Sequence, residues 1–291
     1  MLTEKDEYRH TPNNDLYWQE STVLIWYDPA TELGGFHRIG LEPNQNKCNS
    51  QNYIARGKQL LYKIVNLDLP LSPNDWDNYP AGPIRRKTLS PLKDFQFLVD
   101  DPYYNVKAEL TFTGFHPVHD YSRGLDPGGQ VAANHFEGAG MVSGWVSASG
   151  SRWELRQGVG MRDHSWGVRH WNIINNWRWV CAIFGQECAF NALTMVTDSA
   201  TLHGGFLYDG KETLAVKDCS IHVLLQDNGK EHKGTQLSFL DEKGRTFEAT
   251  SETLFSSIVM YYSVRANEGL SKFSMGDQEG YGIVEYGYRL G

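Results

Sequence analysis

Short stretches in which hydrophobic and polar positions alternate, each closed by Gly, Pro, Asn or Asp, follow one another along almost the whole chain. "STVLIWY" (Ser21–Tyr27), "QLLYKIVNLDL" (Gln59–Leu69), "DFQFLVD" (Asp94–Asp100) and "NVKAELTFTGF" (Asn105–Phe115) are rich in β-branched and aromatic residues and predict strands. In the second half the pattern resolves into hairpins. "GMVSGWVSA" turns at "SGS" into "RWELRQG", "WRWVCAIF" turns at "GQE" into "CAFNALTMV", and "GGFLY" turns at "DG" into "KETLAV". Further turns fall at "DNGK" and "EKGR", and "GYGIVEYGYRL" closes the series. Turn signals at roughly 8–12-residue intervals predict an antiparallel sandwich or barrel. No stretch has the period of an amphipathic helix, and "SPNDW" (Ser72–Trp76) reads as one short turn.

At 291 residues the chain is about twice a usual domain. The densest Gly, Pro and Asp segment, "HPVHDYSRGLDPGGQVAAN" (His116–Asn134), is the natural boundary. The expectation is an all-β protein of two barrel-like modules, residues 1–125 and 126–291. Its 9 Trp, 15 Tyr and 13 Phe favour strands and an apolar ligand cavity. A net charge of −8, with no basic block longer than "IRRK", argues against nucleic acid as a partner. Cys48, Cys181, Cys188 and Cys219 have no CxxC spacing and read as reduced, partly buried thiols. The first residues lack the apolar core of a signal peptide, and no long apolar run follows, so a cytoplasmic protein without membrane insertion is expected. A homodimer is compatible with all of this.

The chemistry concentrates in "GVGMRDHSWGVRHWNIINNWRW". His164 titrates near neutral pH. In a strand Asp163 and His164 point to opposite faces, while His164 and Trp166 share one. The two neighbours cooperate directly only at a bulge or turn, which Ser165 and Gly167 allow. A proton donor beside an aromatic wall suits protonation of an alkene or abstraction from an apolar substrate. The alternative is an Arg162–Asp163 ion pair closing a barrel corner, with His164 capping backbone groups. In "ANHFEGAG", His135 and Glu137 share a strand face, and Glu137 is a candidate carboxylate partner for His164; the alternative is an exposed strand end. His116, His119 and Asp120 of "FHPVHDY", with help from His135, form a weak metal-ligand set or else a polar linker. His37 and Arg38 run into a polar turn that would reach a cleft shared by two barrels, unless they belong to an ordinary hairpin. Neither a dinucleotide or P-loop glycine motif nor a nucleophile elbow occurs. Hydride transfer, phosphoryl transfer and elbow-type ester hydrolysis therefore lack their parts, and no cofactor is expected.

On "GVGMRDHSWGVRHW", "WRW", "FNALT" and "GYGIVEYGYR", the chain resembles the hydroxyneurosporene synthase (carotenoid 1,2-hydratase)-like superfamily, and especially bacterial members carrying "RDHSWG". That resemblance implies two lipocalin-like β-barrel halves, a fold also similar to some fungal Diels–Alderases. It implies active-site roles for His164 and Trp166, with Asp163 in register. The family's further Tyr and Asp are not matched: the corresponding "CAFNALTMV" offers Asn191, so another carboxylate, Glu137 or Asp163, takes that part or the chemistry differs.

Two readings of function follow, with a third behind them. The first is a cofactor-free lyase or isomerase, of hydratase or dehydratase type, acting on an apolar terpenoid or aromatic molecule in a cleft between the barrels. Here His164 with Asp163 or Glu137 moves the proton. Trp166, Trp171, Trp177 and Trp179 shape the apolar wall, and Arg162 or Arg169 fixes a substrate oxygen. The second is a lipocalin-like carrier of a hydrophobic small molecule. The third is a metal-dependent hydrolase built on His116, His119 and Asp120.

Overall fold

Among the described residues (2–72, 78–121 and 133–290 of a computed structural model), the chain forms twenty strands and three single-turn helices. The described residues fall into two compact units: the first holds those up to 121 and from 133 to Arg169, and the second those from His170 onward. No helix among the described residues is long and apolar enough to cross a membrane.

The first unit holds β1 (Trp18–Asp28), β2 (Leu33–Glu42), β3 (Lys47–Arg56), β4 (Gln59–Pro70), β5 (Asn78–Ala81), β6 (Ile84–Ser90), β7 (Asp94–Asp101), β8 (Val106–Gly114), β9 (His119–Asp120), β10 (Asn134–Ala148), β11 (Ser151–Glu154) and β12 (Gly158–Val168). They form one antiparallel sheet in the order β4-β3-β2-β1-β12-β10-β8-β7-β6-β5, with β9 and β11 added on β10. The sheet curls almost into a barrel: the Cys48 thiol of β3 reaches the Pro80 carbonyl on edge strand β5, 3.9 Å away. Strand alternation sorts the side chains. Leu24, Trp26, Ile39, Ile54, Phe97 and Phe112 belong to one buried core. Gly35 admits the indole of Trp26, since a Cβ there would stand 2.6 Å from the Tyr53 carbonyl oxygen and 3.0 Å from Trp26 Nε1.

The second unit is a closed barrel of successive antiparallel strands: β13 (Ile174–Ile183), β14 (Ala189–Thr197), β15 (Thr201–Tyr208), β16 (Thr213–Leu225), β17 (His232–Asp241), β18 (Thr246–Tyr261), β19 (Val264–Met275) and β20 (Gln278–Arg289). Pairing of β20 back onto β13 removes both edges. Val180, Phe190, Leu207, Phe239, Phe273 and Val284 fill its interior. All four cysteines are buried.

The two-barrel all-β architecture matches the expectation, but the boundary does not. The "RDHSWG" stretch lies on β12, which pairs with β1 on one side and β10 on the other, inside the first sheet. The chain divides at Arg169/His170, not at 125/126. The Gly- and Pro-rich run joins β9 to β10, two paired strands of a single sheet, and much of it (122–132) lies outside the described residues. The turn expected over 72–76 also lies outside them from residue 73 on.

Candidate active site in the first barrel

The site starts from Glu20, a buried acidic residue on β1. On β1 the inward positions are Trp18, Glu20, Thr22, Leu24 and Trp26, and the register sets Glu20 opposite Trp166 and Thr22 opposite His164 on β12. Four donors meet the Glu20 carboxylate. Oε1 accepts from His164 Nε2 at 2.9 Å, His10 Nδ1 at 2.8 Å and Tyr79 Oη at 3.5 Å, while Oε2 accepts the His10 backbone N–H at 2.9 Å. Burial opposes the charge, but the hydrogen bonds from the two histidines hold the Glu20 carboxyl below its ordinary value. The His10 ring stacks on Trp166 at 3.9 Å between centroids, and Phe136 meets His164 edge-on at 5.1 Å.

The two histidines differ in access. His164 is fully buried and His10 is 20% exposed. Burial pushes the His164 ring down to about 4, against the pull of Glu20. It is therefore the neutral ring, donating Nε2–H to Glu20, with a bare Nδ1 that has no partner among the described residues. His10 gives Nδ1–H to the same oxygen, and its Nε2 makes no hydrogen bond among the described residues, lying 3.7 Å from Asp6 Oδ1.

A second carboxylate fixes the segment that carries His10. Glu7, in the single-turn helix Glu4–Glu7, is buried and accepts from Arg162 Nη2 at 2.8 and 3.0 Å, from the Leu92 N–H at 2.6 Å and from Arg86 Nη2. Arg86 lies over the Tyr79 and Phe95 rings, and Arg162 over Phe95 and Phe136. Two buried guanidinium groups thus meet on the single buried carboxylate of Glu7. Arg86 Nε and Arg162 Nε and Nη1 have no hydrogen-bond partner among the described residues, so Glu7 is what keeps these charges tolerable out of water.

A cavity of about 550 Å³ opens on this assembly, lined by Arg9, His10, Trp18, Glu20, Leu41 and Leu71 among others. Its size is that of a small-molecule site, and its wall mixes the apolar Pro12, Trp18, Leu41, Pro43 and Leu71 with the polar Arg9, His10, Thr11, Glu20, Asn46 and Ser72.

Asp163 and Glu137 lie elsewhere. β12 passes His164 without a bulge, so Asp163 faces the opposite side of the sheet, in register with Glu137 on β10. There His135 Nε2 lies 3.0 Å from Glu137 Oε1 and in contact with Asp163 Oδ2, and Tyr121 Oη donates to Glu137 Oε2 at 3.2 Å. Burial opposes a charge on His135, but Asp163 and Glu137 outweigh it and push the ring up to about 10, while Asp163 is lowered. Near neutral pH His135 is an imidazolium clamped by two carboxylates. The expected His164–Glu137 and His164–Asp163 partnerships are thus corrected to His164–Glu20, because strand alternation separates the faces. Arg162 likewise pairs with Glu7 instead of Asp163.

The remaining expected residues have other positions. Arg169 Nη2 donates to Ser165 Oγ at 2.9 Å, and Ser165 is 3.1 Å from Ser21. His37 is buried, taking the Trp26 indole N–H on Nε2 at 3.0 Å and meeting Asn52 through Nδ1 at 3.2 Å. Arg38 faces the other side and binds Asn49 and Gln51 at 2.5 and 2.9 Å. Trp171, Trp177, Trp179 and Asn191 belong to the second barrel. Trp171 stacks on Tyr261, the Trp177 indole donates to Glu285, Trp179 is buried, and Asn191 binds the Val180 carbonyl at 3.2 Å. His116 accepts the Ala139 N–H on Nε2 and donates from Nδ1 to the Pro117 carbonyl, so backbone groups occupy both nitrogens of this candidate metal ligand. The side-chain sets whose ligand atoms lie close enough to share a metal ion are His10, Glu20 and His164, and His135, Glu137 and Asp163.

The sequence matches the family model described as "Domain of unknown function (DUF7064)" over residues 3–288. The chain belongs to this family. No curated protein sequence matches it. Among solved structures, this DUF7064 protein is similar to kievitone hydratase from Nectria haematococca, at 14% identity over 99% of this chain and 93% of that one, with a TM-score of 0.66. It is also similar to CghA bound to Sch210972, at 10% identity over 97% of this chain and 94% of that one, with a TM-score of 0.68. At these identities the likeness is one of fold, and it extends over both barrels.

Proposed function

We propose that this DUF7064 protein is a cofactor-independent, hydratase-like lyase or isomerase that moves a proton on an apolar small molecule in the first-barrel cavity. One observation carries the reading: Glu20 receives both His10 and His164 at the wall of that cavity. Glu20 holds the His10 imidazole by Nδ1–H, and the proton moves at Nε2, a buried nitrogen 3.7 Å from Asp6 Oδ1 that makes no hydrogen bond among the described residues. In the hydration direction His10 protonates one carbon of the alkene, and water adds to the other carbon and returns its proton to the ring. Atoms and charge balance as alkene plus water to alcohol, and dehydration is the reverse. His164 is the positioning residue, keeping Glu20 ionised and oriented. A placed acid or base of this kind contributes typically about 10²–10⁴-fold in rate. Kievitone hydratase and CghA, whose names speak of a hydratase and of a bound small molecule, support the reading as relatives in fold.

The test is incubation with kievitone and a panel of apolar alkenes in isotopically labelled water. A product heavier by one labelled water, absent with Glu20→Gln, supports the assignment. Bound but unchanged compounds throughout would instead favour a lipocalin-like carrier, which needs no paired acid and base.

A further inference from the structure

The cavity contains a positive charge that no described residue pairs with. Arg9 lines it beside His10 and Glu20 and is half-buried. Among the described residues its guanidinium takes part in no hydrogen bond and no ion pair. The groups that feel its charge are the Cys48 thiol and the Tyr79 hydroxyl. Both are neutral at physiological pH: burial first, then Glu42, pushes Cys48 up to about 11, and burial, then Glu20, raises Tyr79. Among the described residues, the nearby carboxylates are engaged. Glu20 already accepts from four donors, and Glu42 is held by Asn49 at 2.6 Å, Gln45 at 3.1 Å and Lys47 at 3.5 Å. A half-buried guanidinium on a cavity wall without a counter-ion among the described residues is costly, and its planar fork matches an anionic oxygen pair.

Resting on the cavity reading above, we infer that Arg9 is the specificity-determining anchor for an anionic oxygen on the ligand. The substrate class is then an apolar molecule that carries one acidic group, such as a carboxylate or an enolate. Trp18, Leu41 and Leu71 hold the apolar body, and Arg9 fixes the orientation that brings the reacting carbon to His10.

The experiment uses the full chain and two fluorescent probes: anilinonaphthalene sulfonate, and phenylnaphthylamine, the same ring system without the anion. Wild type is expected to bind the sulfonate about tenfold or more tightly than the amine, because charge-assisted hydrogen bonds are worth at least that factor. Arg9→Gln should bring the two to parity by weakening only the sulfonate, and Arg9→Lys should retain part of the preference. Leu71→Trp, which fills the cavity, should weaken both probes. A sulfonate preference unchanged in Arg9→Gln, or no preference in wild type, overturns the inference while leaving the cavity as a ligand site. Binding of neither probe, or binding indifferent to Leu71→Trp, overturns the cavity reading and the inference together. Thermal unfolding of each variant establishes that it is folded; Arg9→Gln, which removes no ion pair or hydrogen bond among the described residues, should unfold at the wild-type temperature.

Discussion

Glu20 Oε1 lies 2.9 Å from His164 Nε2, joining two strands through residues 144 positions apart in the chain. Asp163, the immediate neighbour of His164, is on the far side of the same sheet with His135 and Glu137. One strand therefore serves two polar clusters, one on each face. Of the two, the inner cluster reaches the cavity through His10 and Glu20, and that contact is the ground on which the proposed chemistry rests.

Glu20→Ala should be costly to stability as well as to turnover. It would leave the His164 Nε2–H buried without its acceptor, at about 1–3 kcal/mol, while the Tyr79 hydroxyl keeps the Glu7 carbonyl at 3.4 Å. Chemical denaturation measures the loss. Glu20→Gln, which retains an acceptor oxygen, should recover part of the stability and none of the acid–base function.

Glu7 is expected to matter more than its place near the chain start suggests. Glu7→Ala leaves Arg86 and Arg162 as uncompensated buried charges, a change worth roughly 3–5 kcal/mol. It also frees the segment carrying His10. Denaturation midpoints should fall sharply, and probe binding in the cavity should weaken with them. A wild-type midpoint would show that Glu7 does not anchor the two guanidinium groups.

Stability should depend on pH with opposite signs at the two ends. His37, His116, His164 and His232 are each lowered to about 4, first by burial. Between the ordinary histidine value and about 4 the unfolded chain binds more protons, so stability is lost as pH falls through that window. His135, raised to about 10, behaves inversely: its contribution is complete below 6.5 and is lost as pH rises through about 10. Thermal unfolding from acid to alkaline pH should trace a dome, and His135→Gln should flatten its alkaline side alone.

Gly35→Ala should destabilise the first barrel by about 1–3 kcal/mol, the usual cost of overpacking. The new methyl would meet the Tyr53 carbonyl at 2.6 Å and the Trp26–His37 pair at 3.0 and 3.2 Å. A urea titration reads this directly, and an unchanged midpoint would mean the strand pair can open at no cost.

Alternation and turn residues made the individual strands legible. The hairpins from "WRWVCAIF" onward appear in order as β13 to β20 because each pairs with its sequence neighbour. The opposite faces of Asp163 and His164 followed from the same alternation. Sheet membership is different, since it depends on distant partners. β12 pairs with β1, so the Gly- and Pro-rich run before β10 looked like a domain boundary although it joins strands of one sheet. Glu20 did leave a signal, as the acidic position in the inward series Trp18, Glu20, Thr22, Leu24, Trp26. Glu7 and His10 left none, because a polar stretch ahead of the first strand reads like any solvated leader until Arg86 and Arg162 are seen to face it.

The central claim is that proton chemistry belongs to the inner cluster, and the most direct measurement compares turnover of a hydrated product in His10→Ala and His135→Ala. The expected result is a loss of about 10²-fold or more in His10→Ala, with His135→Ala retaining the wild-type rate per folded molecule. Turnover lost in His135→Ala and kept in His10→Ala would place the chemistry on the opposite face of the sheet and contradict the account.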